Sequence, residues 1–232
     1  MATWYAQKTA NINSVSAGTT SDVWNAAADG SGAWMDISVL TAGGTDTVLA
    51  AHSNTTAYTI SIRSSVDIGT GYLSNMAEGA AVQNGEFIVY GQTIISNVRA
   101  GTTKCLIIGV GASALTGDVS GGSGTAAYGV MMTNSAAVLV LTGNVVGGSA
   151  LLAHGIGVAT GTLTVYGGVT GGSYGSTNGP SAGIALIGTG SVTINGTVTG
   201  GTGAPGTWGL AGPITVIGSL IDTEQCGATS GM

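Results

Sequence analysis

The chain has 232 residues, a formal charge of −6, 43 glycines and only 6 % charged residues. Its four bases, Lys8, Arg63, Arg99 and Lys104, form no phosphate-neutralising stripe, which excludes nucleic acid as a partner. Glycine stands far above the usual ~7 % without the strict triplet of collagen, and Val, Ile and Leu remain plentiful, so neither a collagen helix nor a disordered chain is expected.

From the start, Met1-Ala-Thr-Trp-Tyr has no charged opening followed by an apolar run, so no secretory signal is expected. Residues 1–35, with Trp4, Tyr5 and Trp24 around a polar Asn/Ser/Thr run, read as an N-terminal cap or anchoring segment. Residues 36–221 read as repeating rungs and 222–232 as a C-terminal cap or tail. The most apolar region, 136–159, is interrupted by Thr142, Gly143, Asn144, Gly147, Gly148 and His154, so no membrane span is expected.

The phrase Gly-x-Val-x-Gly-Gly begins at Gly117, Gly143, Gly167 and Gly196. Around the last copy, Val192, Ile194, Gly196 and Val198 point one way while Ser191, Thr193, Asn195, Thr197 and Thr199 point the other, the period of a half-buried strand. The same frame turns Leu163, Val165 and Val169 inward, then Leu139, Leu141 and Val145, then Leu115 and Val119. Carried backward it takes in Phe87, Val89 and Gly91, then Ile60, Ile62, Ser64, Val66 and Ile68, with a weaker copy at Ile37, Val39 and Thr41. Carried forward it reaches Ile214, Val216, Gly218 and Leu220.

The anchors recur every 22 to 29 residues, a solenoid spacing. A second run aligns as well: Gly129-Val-Met-Met, Gly155-Ile-Gly-Val, Gly183-Ile-Ala-Leu and Gly209-Leu-Ala-Gly. A unit this short cannot bury its own inner face and must stack on its neighbours. The expectation is an all-β, single-domain parallel β-helix of about eight rungs, a rod about 40 Å long.

Catalytic and metal signatures are missing. Glycan-cleaving solenoids place two carboxylates about 5 to 9.5 Å apart, yet Asp118 aligns with Asn144, Gly168, Thr197 and Ser219. Asp67 shares an outward strand with Arg63 and reads as its surface ion-pair partner. His52 and His154 lack ligand-spaced neighbours, and no Gly-x-Ser-x-Gly elbow with its acid and His is present. The reading is therefore no enzyme, no cofactor and no metal. Cys105 and Cys226 fall five rungs, about 24 Å, apart, too far for a bridge, so both are expected as free thiols.

Two surfaces stand out as candidates for recognition. The residue before each second-run glycine is Tyr128, His154, Ala182 or Trp208, and the longest loop adds Tyr174. Such a column suits a sugar chain or a neighbouring subunit; alternatively these rings pack over the turns of their own coils. Val138, Val140 and Val146 face outward together, with Ile88 and Ile94 placed outward two rungs earlier. Exposed apolar strand faces on a neutral rod call for another chain, and a homo-oligomer, a trimer first, is expected. An ice-matching face would need one Thr ladder on every rung, which the irregular pairs flanking the anchors do not provide.

With the rungs laid out, the chain resembles the Gly/Thr/Val-rich parallel β-helix virion proteins of tailed bacteriophages. Carrying this are Met1-Ala-Thr-Trp-Tyr running to Trp24-Asn25, Asp46-Thr-Val-Leu-Ala-Ala-His-Ser-Asn54 leading into Tyr58-Thr-Ile-Ser-Ile-Arg-Ser-Ser-Val66, and the Gly-x-Val-x-Gly-Gly rungs. The resemblance implies a capsid decoration, fibre or tailspike-like appendage, made in the host cytoplasm without a signal peptide and located in the virion. Its partners would be capsid or tail proteins. It also implies a glycan-binding adhesin of the tail as the alternative role, while the missing carboxylate cluster argues against a glycan-degrading tailspike.

Overall fold

A computed structural model of the chain describes residues 2–7, 9–11, 23–34, 45–50, 58–63, 65–75, 85–173, 181–202, 208–211 and 214–221. Every regular element among them is a strand, and nearly all pairing is parallel. The strands form one 15-stranded and one eight-stranded sheet, stacked as a β-solenoid that is regular over about five turns.

The eight-stranded sheet passes from Ala10–Asn11 through Thr59–Ile62, Glu86–Val89, Leu106–Ile108, Val130–Met132, Ile156–Val158 and Ile184–Leu186 to Leu210–Ala211. The larger sheet is organised by one unbroken strand, Thr93–Ala100. Its first half pairs with Gly111–Thr116 and its second half with Val119–Ser120. From there two ladders run side by side. The long ladder continues through Ala137–Thr142, Thr162–Tyr166, Ser191–Asn195 and Thr215–Val216. The short ladder continues through Val145–Val146, Val169–Thr170, Val198–Thr199 and Leu220–Ile221.

Glycine makes the split between the ladders. A Cβ added at Gly117, Gly143, Gly167 or Gly196 would fall within 3.0 Å of the carbonyl oxygen one turn earlier, that of Ser96, Gly117, Gly143 and Gly167 respectively. The φ angles of the first three, +145°, +153° and +157°, also disfavour any L side chain. The next residue then satisfies the opened backbone. The Asp118 amide donates to Asn97 Oδ1 (2.9 Å), the Asn144 amide to Asp118 Oδ1 (2.8 Å) and the Gly168 amide to Asn144 Oδ1 (3.1 Å).

Inward residues stack in unbroken columns, which is why alternation was so legible. Ile94, Leu115, Leu141, Val165 and Ile194 lie in register along the long ladder, and Val98, Val119, Val145, Val169 and Val198 along the short one. Ile60, Phe87, Leu106, Val130, Ile156, Ile184 and Leu210 form the facing column of the eight-stranded sheet. All are buried in a single core. The second-run alignment read from the sequence is the observed register.

At the N-terminal end, Thr3–Ala6 joins the larger sheet through parallel pairing with Thr47–Leu49, and Trp24–Asn25 pairs with it antiparallel. Trp24 is buried, and the Asn25 side chain gathers the following loop by bonding the Ala27 and Gly32 amides and the Gly30 and Gly32 carbonyls. Asp46 accepts from the Ala2 amide (2.8 Å) and Trp4 Nε1 (3.1 Å), and these bonds, the amide first, hold its carboxyl below the ordinary range.

One stretch of the expected register is corrected. Phe87 and Val89, like Ile60 and Ile62, face inward but belong to the eight-stranded sheet and are not aligned with Leu115-Thr-Gly-Asp-Val119. The counterpart of that segment is Ile94-Ile-Ser-Asn-Val98. Gly91, at φ +64°, turns the corner between the sheets and resets the alternation. Ile94 therefore points into the core, 1 % exposed, and Ile95 points out. The weak copy at Ile37, Val39 and Thr41 lies outside the described residues, as do Ser64, Cys226 and the 222–232 tail.

Candidate functional site

The outer face of the long ladder is a regular surface, built by strands in unbroken parallel register. Strand register sets Val138 beside Ala112 and Thr162, Val140 between Ala114 and Thr164, and Thr142 between Thr116 and Tyr166. Ile95 adjoins Thr116, and Asn195 adjoins Tyr166. From Thr93 to Ile217 no residue turned outward on this ladder is charged; Asp67, in register with Ile95, borders the face at its N-terminal end. Val138 and Val140 are each 38 % exposed, and Ile95, Tyr166 and Ile217 are exposed too.

Of the five residues expected to share one apolar face, Val138 and Val140 do so. Val146 is exposed but sits on the short ladder, beyond the bend at Gly143-Asn144. Ile88 is half-buried on the eight-stranded sheet, and Ile94 is in the core. The sequence reading places Tyr166 and Ile217 outward beside the anchors without counting them in the apolar face, and it misses Ile95. Tyr166 was legible, because it follows Val165 directly in the inward frame; Ile95 was hidden by the frame change at Gly91.

Of the expected aromatic column, one pair of rings is in contact. Tyr128 and His154 stack with ring centroids 5.4 Å apart and planes at 26°. His154 is 1 % exposed, and its Nδ1 accepts from the Ala182 amide at 2.9 Å. Burial lowers the His154 pKa to about 4, and burial raises that of Tyr128. A buried, neutral imidazole whose Nδ1 is taken by a backbone amide and whose ring stacks on a tyrosine is a packing element, while Tyr128 and Trp208 retain part of their surface. Tyr174 lies outside the described residues.

The polar candidates also find local partners. The Arg63 guanidinium lies 3.9 Å from the centroid of the Tyr90 ring, not against Asp67, whose Oδ1 accepts from the Gly69 amide. Arg99 lies over Tyr72 at 4.8 Å, and Lys104 pairs with Glu86 at 3.7 Å. Asp118 Oδ1 receives both the amide and the Nδ2 of Asn144, so its carboxylate serves the bend. Cys105 is buried, and its Sγ donates to the Leu73 carbonyl at 3.5 Å. Among the described residues, no three His, Cys, Asp or Glu side chains are grouped to hold a metal.

Compared with known proteins, the chain matches no family model, no curated protein and no solved structure.

Proposed function

We propose that this is a non-enzymatic structural protein of a phage virion, a capsid decoration or small fibre-type appendage that assembles with copies of itself and stabilises or decorates the particle. The observation that carries the reading is the uncharged outer face of the long ladder, with Val138 and Val140 at its centre. Apolar strand faces of this kind are a liability in water and gain stability when another chain covers them. The face itself carries no charge and has only Asp67 at its border, so two such faces can meet centrally without repulsion.

On this reading the complete chain is an eight-rung rod with residues 1–35 as its N-terminal cap, assembled as a trimer and attached to capsid or tail proteins. Stacked backbone hydrogen bonds and one continuous core supply a protease-resistant body. The alternative, a glycan-binding adhesin acting through Tyr128, His154, Tyr174 and Trp208, draws less support because His154 is buried and engaged. Quantitative mass spectrometry of purified phage particles tests the proposal: hundreds of copies per particle indicate head decoration and a few indicate a tail appendage. Absence of the chain from the particles overturns it.

A further inference from the structure

The repeated phrase around the anchor glycine changes in its fourth copy. The outward residue before the anchor is Thr116, Thr142 and Tyr166 in the first three copies and Asn195 in the fourth, all in one register on the long ladder. Asn195 is thereby followed by Gly196, a pair in which the backbone nitrogen can approach the side-chain carbonyl carbon with no Cβ in the way.

The bonds that hold the earlier copies thin out at this one. The Gly117, Gly143 and Gly167 amides donate to the Thr142, Tyr166 and Asn195 carbonyls at 3.0, 3.1 and 3.3 Å, while the Gly196 amide donates to no carbonyl among the described residues. Pairing with the following strand stops at Ile194 with Val216, and Ile217, which comes next, is exposed. Asn195 and Gly196 are both partly exposed.

Other asparagines are held. Asn25 bonds its own loop, Asn97 accepts from the Asp118 amide and donates to the Thr70 carbonyl, and Asn134 accepts from the Ala136 amide. Asn144 accepts from the Gly168 amide and donates to Asp118. The Asn195 side chain has no hydrogen-bond partner among the described residues.

We propose that Asn195-Gly196 is a self-modification site, at which the asparagine converts to aspartate and isoaspartate without an enzyme and the uncharged face of the long ladder gains a carboxylate. The Gly196 nitrogen gives its proton to a base of the solvent and attacks Asn195 Cγ. The new C–N bond closes a five-membered succinimide, and Nδ2 takes up a proton and leaves as ammonia. Water then opens the ring, giving aspartate when it attacks Cγ and isoaspartate when it attacks the main-chain carbonyl. Water enters, ammonia leaves and nothing is oxidised. Ring closure moves Gly196 off the Gly167 carbonyl against which it packs, so the step proceeds through local opening of the last described turn. The new charge lies in register with Tyr166. Its effect on assembly rests on the self-association reading above: like charge is added to a face that copies share.

The test is peptide mapping of the full chain, kept dilute so that no partner covers the face, after incubation at neutral and at mildly alkaline pH. Mass spectrometry should find Asn195 deamidating about tenfold or more ahead of Asn97, Asn134 and Asn144. Isoaspartate should be among the products, and the rate should rise with pH because the attacking nitrogen must lose its proton. The Asn-Gly pairs at 84–85 and 178–179, whose asparagines lie outside the described residues, are read as separate peptides. Asn195→Gln, which would have to close a six-membered ring, should stop the reaction at this position with the melting temperature unchanged. In sedimentation Asn195→Asp should associate about fivefold more weakly than the wild type. An Asn195 that survives as long as Asn144, or that yields aspartate without isoaspartate, overturns the inference. Equal association of Asn195→Asp overturns the effect on assembly. A monomeric wild type whose Asn195 still deamidates removes the self-association reading and upholds the site.

Discussion

Two stretches of this solenoid solve the same stacking problem differently. From Thr59 to Ile108 the Thr93–Ala100 strand runs unbroken, Ser96 and Asn97 stand where later turns have Gly followed by Asp, Asn, Gly or Thr, and side-chain pairs hold the surface: Arg63 on Tyr90, Arg99 on Tyr72, Lys104 with Glu86. From Gly111 to Thr199 the strand is split at every turn, charge is nearly absent, and backbone lies directly on backbone through the glycine column. The early turns can therefore tolerate changes of backbone-facing residues that the later turns cannot. The later turns in exchange present a flat, uncharged face.

The sharpest way to break that contrast is to put a side chain into the column. Gly143→Val forces a Cβ against the Gly117 carbonyl and should destabilise by more than about 4 kcal/mol, the range of severe disruptions. Ser96→Ala in the unbroken strand loses only a hydroxyl that accepts from the Leu73 amide and donates to the Asn97 carbonyl, about 1–2 kcal/mol. Urea melts of the two variants give the comparison directly. Equal losses would remove the distinction between the two stretches.

Acid should find the later turns next. The His154 pKa, about 4 when folded, lies below its ordinary 6.5, so the unfolded chain takes up the proton first. Its contribution is complete above pH 6.5, falls as pH drops toward 4, and is flat below that, about 3 kcal/mol in all. Thermal melts from pH 7.5 to 3.5 should show this slope in the wild type, and His154→Gln should flatten it. An unchanged slope in the variant would mean that other groups are responsible.

Smaller effects separate the bend from the charged surface. Asp118→Ala deprives the Asn144 amide of its acceptor and should cost about 1 kcal/mol, whereas Asp118→Asn keeps an acceptor oxygen and should be nearly neutral. A comparable loss in both would point to the charge and not to the ladder. Arg63→Ala removes an exposed cation–π contact in the early turns and should cost only about 0.5 kcal/mol.

How far the sequence could be read follows from the same contrast. In the later turns every inward residue recurs at a fixed distance from a glycine that stacking demands, so Leu139, Leu141 and Val145 and the run from Gly129 to Met132 could be placed by alignment alone. In the early turns no glycine marks the bend, and Gly91 marks a corner instead. Both sheets alternate with period two, so Phe87 and Val89 fit either one, and crossing the corner shifted the frame by one residue, which turned Ile94 the wrong way. The burial of His154 was not legible, because a loop aromatic over a turn and one exposed to a ligand have the same sequence. The Gly-Gly-Ser runs at 121–123, 147–149 and 171–173 and Gly-Gly-Thr at 200–202 are visible as a repeat, but only the register shows that these corners line up.

The central proposal is that the uncharged outer face of the long ladder is covered by another copy of the chain. Sedimentation equilibrium of the wild type beside the double variant Val138→Lys, Val140→Lys tests it most directly. The account predicts a trimer at micromolar concentration that falls to monomer in the variant, with the melting temperature of the isolated rod retained. A wild type that stays monomeric, or an assembly that survives both lysines, would contradict it.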